Sequence, residues 1–312
     1  MVPILFVAAV CLLGLPGVAR RFGRRLDPAE WSRFSAAALA VGAVLLEISV
    51  VLYAAPTVLR AVGVPHVADF CERALGAVLP GGAVLGWPAA AMAVLFPVLT
   101  GVGAGRARRA QQLVQVEPWL GDHRPVDGYD LVILPTVQML AFSVGGPTPQ
   151  IVISQGLVDA LSVEEVDAVV RHEAAHLDHR HQRLLLLASA LEHGLPLARF
   201  LRRSTAALRT GLERWADETA AGASHCSRTV LHGALLAVCA AAVHPAVAAF
   251  SAADSLVERL DALSSGPPRP SRSRRLETYG PALLIGVAVL GALGTWGDEA
   301  VHLLHLLRHC PT

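Results

Sequence analysis

"VVRHEAAHLDHRH", residues 169–181, sets two histidines four positions apart and places a glutamate directly after the first. With 13 His and 13 Glu in 312 residues, a shuffled chain would contain His-Glu-x-x-His roughly 0.02 times, so accident is a poor explanation. Only a helix brings positions i and i+4 onto one face about 6 Å apart, where two imidazoles can share an ion. The flanks support one. Ser162 followed by Glu165 reads as a capping box, and Val163, Val166, Val169, Val170 and Leu177 recur at helical spacing. No Gly or Pro interrupts the segment before Gly194, and His172 and His176 sit one turn apart within it.

Working outward, the composition is not that of a simple soluble globule: 54% of residues are hydrophobic and 16% charged, and the mean hydropathy is +0.50. Four stretches are apolar enough and long enough to span a bilayer: 2–19, 34–55, 83–104 and 281–297. The first has no basic residue before its apolar run, and Arg20, Arg21, Arg24 and Arg25 follow it, which favours a retained anchor with its N-terminus outside. Those arginines, Arg106, Arg108 and Arg109, and Arg269, Arg272, Arg274 and Arg275 all fall on one side if the chain crosses four times. The 56–82 loop carries only Arg60 and Arg73, and the tail only Arg308. The His-Glu-x-x-His region between the third and fourth spans is therefore expected to face the cytoplasm. The expected division is a membrane region of three spans (1–104), a cytoplasmic domain (105–275), and a last span with a short extracytoplasmic tail (276–312).

A net charge of +1 offers no nucleic-acid footprint, so no direct nucleic-acid binding is expected. The five cysteines show no zinc-finger spacing. Cys11 falls in the first span, and Cys226 and Cys239 fall in the cytoplasmic part, where thiols stay reduced. Cys71 and Cys310 occupy the two extracytoplasmic segments, which leaves a disulfide between them open. None of the 26 basic residues is a lysine, a weak compositional sign of a GC-rich bacterial genome.

Two histidines do not complete a catalytic zinc site, which takes three protein ligands and leaves a fourth position for water. Downstream, "GLERWADETAAGA" (211–223) puts Glu213 and Asp217 at i and i+4 on one helix face, with small residues after them that allow close helix approach. Glu213 is the candidate third ligand, and Asp217 a candidate partner that fixes the tautomer of a ligand histidine. Taken alone, a surface helix of salt-bridged acids, with Arg214 among the partners, is the commoner reading. The apolar stretches 184–201 and 229–250 are expected to stay on the cytoplasmic side. A crossing by the first would separate His176 from Glu213, and it carries Arg183, Glu192, His193, Pro196 and Arg199. A crossing by the second would put the Arg269–Arg275 cluster outside.

"YDLVILP", "QMLAFSV" and "QIVIS" (129–135, 138–144, 150–154) read as strands, with Gly145, Gly146, Pro147 and Pro149 as turn residues between the last two. An edge strand of Ala141, Phe142, Ser143 and Val144 would accept an extended peptide by strand addition; a plain structural hairpin is the other reading. Glu47, in the middle of the second span, is costly in lipid and is expected to pair within the bundle. His179 and His181, just past the metal helix, are expected to face solvent.

With these residues in view, "HEAAH" followed by "ERWADE", and the block from "MLAFSV" to "HEAAH", resemble the membrane-embedded gluzincin metallopeptidases. Within them the chain is similar to the beta-lactam-sensor group (BlaR/MecR type), related to the heat-shock and prenyl-protein membrane proteases. The likeness covers roughly residues 105–265. It implies a mainly α protein: four transmembrane helices and a cytoplasmic α+β zincin-like domain with a small antiparallel sheet beside the His-Glu-x-x-His helix. It also implies Zn²⁺ held by His172, His176 and Glu213, catalytic Glu173, supporting Asp217, and a protein or peptide substrate such as a transcriptional repressor. "VERLDAL" (257–263) resembles the arginine-bearing helix of such proteases and marks Arg259 as site support. With about 15 residues after position 297, neither the large extracellular sensor module of that group nor the chamber of the prenyl proteases is expected.

The expected activity is thus a zinc metalloendopeptidase of the bacterial inner membrane. A metal-retaining signalling or scaffold protein without turnover, and a metal sensor or carrier, are the competing classes. His225, His232, His244 and Arg259 are the candidates for stabilising an oxyanion.

Overall fold

A computed structural model describes residues 2–74, 82–113, 120–222, 227–241, 250–266, 279–280 and 287. The N-terminal part is helical: α1 (Val2–Val18), α2 (Arg20–Gly23), α3 (Pro28–Ala61), α4 (Pro65–Ala74) and α5 (Gly82–Leu113). Asp27 starts α3, its carboxylate accepting from the backbone N–H groups of Ala29 and Glu30, with Pro28 at the first helical position, where its missing N–H costs nothing. Arg60 near the end of α3 pairs with Asp69 and Glu72 of α4 and folds the connection back.

Four spans were expected, and the described residues contain two helices of sufficient length and apolarity, Pro28–Ala61 and Val84–Gln112. α1 is apolar throughout but has 17 residues, about 25 Å at 1.5 Å per residue against a hydrocarbon core of about 30 Å. The fourth expected span, 281–297, lies outside the described residues except for position 287, and so does Cys310, the expected partner of Cys71. The Oε2 atom of Glu47 is buried with no hydrogen-bond partner among the described residues, so the expected pairing within the bundle is not seen there.

A four-stranded sheet follows: β1 (Asp122–Val126), β2 (Tyr129–Leu134), β3 (Ala141–Val144) and β4 (Gln150–Ser154), in the order β1-β2-β4-β3. The expected antiparallel sheet is corrected to a mixed one. β3 and β4 form the antiparallel hairpin across the Gly/Pro turn, but β2 pairs parallel to β4, with Leu131 opposite Ile151 and Ile133 opposite Ile153. The reason lies in β4 itself. "QIVIS" is apolar without alternation and buried at every position, so it takes the centre of the sheet, and the less covered β3 is left at the edge.

The remaining helices are α6 (Gln155–Ala160), α7 (Val163–Asp178), α8 (His181–Gly194), α9 (Arg199–Ala221), α10 (Arg228–Ala241) and α11 (Phe250–Ser265). The Ser162–Glu165 capping box forms at the start of α7. The helix then stops at Asp178 although neither Gly nor Pro occurs before Gly194. Arg180 takes a left-handed backbone conformation (φ +53°) and turns the chain into α8. The stretch 184–201 is broken as well, with α8 ending at Gly194 and α9 beginning at Arg199.

Leu201, Leu208, Leu212 and Trp215 of α9 share one buried cluster with Leu13 of α1, Leu39 and Leu46 of α3, Phe96 of α5 and Leu191 of α8. Each fully buried leucine contributes about 1.5–3 kcal/mol. Close approach is built in at Gly42 of α3, where a Cβ would meet Leu13 Cγ at 2.9 Å and the Ala9 carbonyl oxygen at 3.1 Å.

Candidate metal centre

Three helices supply the centre. α7 packs against β3, β4, α9 and α10, and α9 packs in turn against α7 and α11. The apolar face of α9 is consumed by the shared core, which leaves Glu213 and Asp217, one turn apart, aimed at α7. His172 and His176 are buried on the facing side of α7.

One donor atom each from His172, His176 and Glu213 lies within 4.8 Å of the other two. The two Nε2 atoms are 3.2 Å apart. Glu213 Oε2 lies 3.6 Å from His172 Nε2, and Oε1 lies 3.6 Å from His176 Nε2. A tetrahedral ion with bonds of about 2.0–2.1 Å to imidazole nitrogen and carboxylate oxygen has ligand-to-ligand edges of about 3.4 Å. These residues therefore fit a tetrahedrally bound divalent metal by spacing and by donor type.

The donors are held from behind. Asp217, 3% exposed, places Oδ1 3.0 Å from His172 Nδ1, an ion-pair contact rather than an aligned hydrogen bond. Arg259 of α11 donates twice to Asp217, through Nε to Oδ2 and Nη2 to Oδ1, both at 2.8 Å. Its Nη1 lies 3.0 Å from Glu213 Oε2. Burial would raise both carboxyls, yet the Arg259 guanidinium, helped by contact with His172, holds Glu213 and Asp217 below the ordinary carboxylate range. Burial opposes a charged His172, but the Asp217 and Glu213 carboxylates outweigh it and push that imidazole up to about 10 in the metal-free protein. Burial pushes His176 down, and the neighbouring His172 adds to the effect.

These groups open onto a cavity of about 410 Å³, within the usual range for small-ligand and substrate clefts. Glu173, half-buried, lines it beside His172 and His176, and Ala141, Phe142 and Ser143 of edge strand β3 form another wall. The Ser154 N–H donates to the Leu140 carbonyl, so by antiparallel alternation the backbone groups of Phe142 and Val144 point at β4 and those of Ala141 and Ser143 point away from it. Gln182 reaches this free edge, its Nε2 donating to the Ser143 carbonyl at 3.4 Å. Val144 is buried at the end of the strand.

Of the candidate oxyanion donors, Arg259 lines the cavity and His232 does not; His225 and His244 lie outside the described residues. The expectation that His179 and His181 face solvent is overturned for His181, whereas His179 keeps part of its exposure. His179 is half-buried and stacks on Trp215 with ring centroids 4.6 Å apart. His181 is fully buried, with its Nδ1 3.0 Å from His176 Nδ1. On an unbroken helix a residue five positions after His176 would project to another side. The turn at Arg180 brings it back underneath. The hint in the sequence is the density of histidine at 176, 179 and 181, of which His181 alone falls off the helical period of His172 and His176.

A family model described as Peptidase family M48 matches residues 121–279, just over half of the chain and all of the elements that build this centre. No curated protein and no solved structure matches the chain.

Proposed function

The chain belongs to peptidase family M48, and from that premise we propose that it is a membrane-anchored, zinc-dependent endopeptidase acting on a cytoplasmic or membrane-proximal protein. The observation that carries the reading is the convergence of His172, His176 and Glu213, with the two Nε2 atoms 3.2 Å apart and each 3.6 Å from a different oxygen of the Glu213 carboxylate, beside a cavity that Glu173 and an open strand edge also line. When bound there, zinc would supply a Lewis acid that activates water and polarises a carbonyl.

The chain's own residues perform the rest. The outward backbone groups of Ala141 and Ser143 hold the substrate extended by strand addition. Glu173 takes a proton from the attacking water and delivers it to the departing amine nitrogen. Asp217 keeps His172 in the tautomer that presents Nε2, and Arg259 keeps both carboxylates charged and in place.

The membrane assignment is supported by the two long apolar helices and by apolar side chains left exposed along α5, among them Val84, Trp87, Val94, Leu95 and Val98. The cytoplasmic orientation is supported by the arginine clusters. Because α9 packs on α1 and α3, Glu213 would lie near the bilayer surface, which suits a membrane-proximal substrate. A transcriptional repressor in a signalling pathway is a substrate of the required kind, on the strength of the family likeness alone.

The test compares full-length wild type, Glu173→Gln and Glu213→Ala in membranes, measuring bound zinc and cleavage products together. Glu173→Gln is expected to lose cleavage and keep zinc, whereas Glu213→Ala loses cleavage and much of its zinc. Identical product profiles from all three proteins would overturn the assignment.

A further inference from the structure

We infer that His181 is the positioning residue for metal ligand His176, its Nδ1 lone pair fixing the tautomer in which His176 offers Nε2 to the ion. The inference rests on the metal site proposed above. A neutral imidazole carries one N–H, so a histidine that ligates through Nε2 must carry its proton on Nδ1. Nε2 of His176 is the atom that faces His172 and Glu213. Nδ1 is the atom that faces His181, and among the described residues no other polar atom meets it.

Two Nδ1 atoms 3.0 Å apart share one proton between them. If His181 held it, His176 would be protonated on Nε2 and closed to the metal. Ligation therefore places the proton on His176 Nδ1, donating to a bare His181 Nδ1, and leaves the His181 proton on Nε2. That Nε2 is buried with no partner among the described residues. An orphaned buried polar atom carries a cost, which the packing of the ring and its contact with His176 must offset.

The arrangement is held rigidly. The His181 ring lies 4.8 Å from Trp215 and 4.9 Å from His176, centroid to centroid, and it is reached only because Arg180 adopts a left-handed backbone. The two ligand histidines are thus supported by different chemistry: a charged carboxylate, Asp217, behind His172, and a neutral imidazole behind His176. Outer partners of this kind typically change metal affinity by about 10–100-fold when removed.

The test is an equilibrium zinc competition against a chromophoric chelator, on purified full-length protein in detergent, comparing wild type with His181→Asn, His181→Leu and Glu213→Ala. Asn keeps an acceptor near the Nδ1 position, and Leu keeps the volume without it. Expected are zinc affinity within about threefold of wild type for Asn and about 10–100-fold weaker for Leu, with zinc-free thermal unfolding and circular dichroism similar in the two variants. Equal affinity for Leu and wild type, or equal losses for Asn and Leu, would overturn the role of His181. Should Glu213→Ala also bind zinc like wild type, the metal site itself fails, an outcome distinct from failure of His181 alone. If His181→Leu does not fold, His181→Met takes its place beside His181→Asn, and the same two outcomes decide it.

Discussion

Arg259 touches both carboxylates of the centre, and its placement decides how the site titrates. With Glu213 and Asp217 held ionised, His172 in the metal-free protein is pushed up to about 10 although burial works against it. The sign follows. A raised histidine stabilises the metal-free fold fully below its unfolded value of about 6.5, and that contribution is lost as pH rises toward 10. Coordination through Nε2 requires His172 to be neutral at that nitrogen, so zinc binding at pH 8 is expected to release about one proton from His172. Zinc affinity should then rise by roughly tenfold per pH unit between about 7 and 9. Titration calorimetry in two buffers of different ionisation enthalpy measures the proton directly, and a buffer-independent heat would contradict the assignment. At this scale much was legible: the His-Glu-x-x-His spacing and the i, i+4 pair Glu213/Asp217 each follow from helical period. His181 was not legible, because its position depends on a break that no Gly or Pro announces.

That break is a property of the element. Residues 163–194 read as continuous helix because every local preference in them is compatible with one, yet α7 and α8 meet at Arg180 with φ +53°. A non-glycine residue in that region costs about 1–2 kcal/mol, and the offset comes from burying His181, Ala188 and Leu191 on the far side of the turn. Arg180→Gly is accordingly expected to relieve that strain, offset in part by the extra backbone entropy glycine loses on folding, for a net gain of up to about 1 kcal/mol with zinc affinity unchanged. Arg180→Val should lower both, since a β-branched residue resists positive φ and displaces His181. Denaturant midpoints with chelator competition read the two effects, and a destabilised glycine variant would show that the conformation is not strained. The sheet shows the same limit. Apolar runs identified β2, β3 and β4 as strands, but the preference of a run for strand says nothing about which strand lies beside it. The parallel β2–β4 pairing came from the need to bury β4 on both sides.

For the whole molecule, the decisive feature is the core common to α1, α3, α5, α8 and α9. A division at residue 104/105 would cut through it and leave Leu201, Leu208 and Leu212, each fully buried, facing water. At about 1.5–3 kcal/mol per side chain, this exposure is comparable to the net stability of a typical domain, about 5–15 kcal/mol. A fragment of residues 105–275 expressed alone should therefore aggregate or bind zinc well below one equivalent. Co-expression of residues 1–104 is expected to restore binding. Size-exclusion chromatography with metal analysis distinguishes the outcomes, and a monomeric, fully loaded fragment would show that the N-terminal helices are a mere tether.

The sequence by itself determined what a one-dimensional period can encode: the metal helix and its cap, the pair of acids on a second helix, three of the four strands, and the long apolar helices. These follow from backbone geometry, which repeats every 3.6 or 2 residues whatever surrounds it. Tertiary structure alone decided the order of the strands, the left-handed turn at Arg180, the burial of His181 against His176, and the docking of α9 onto the N-terminal helices. Each is settled by competition among distant surfaces for the same buried volume, and no local spacing in the chain records the result of that competition.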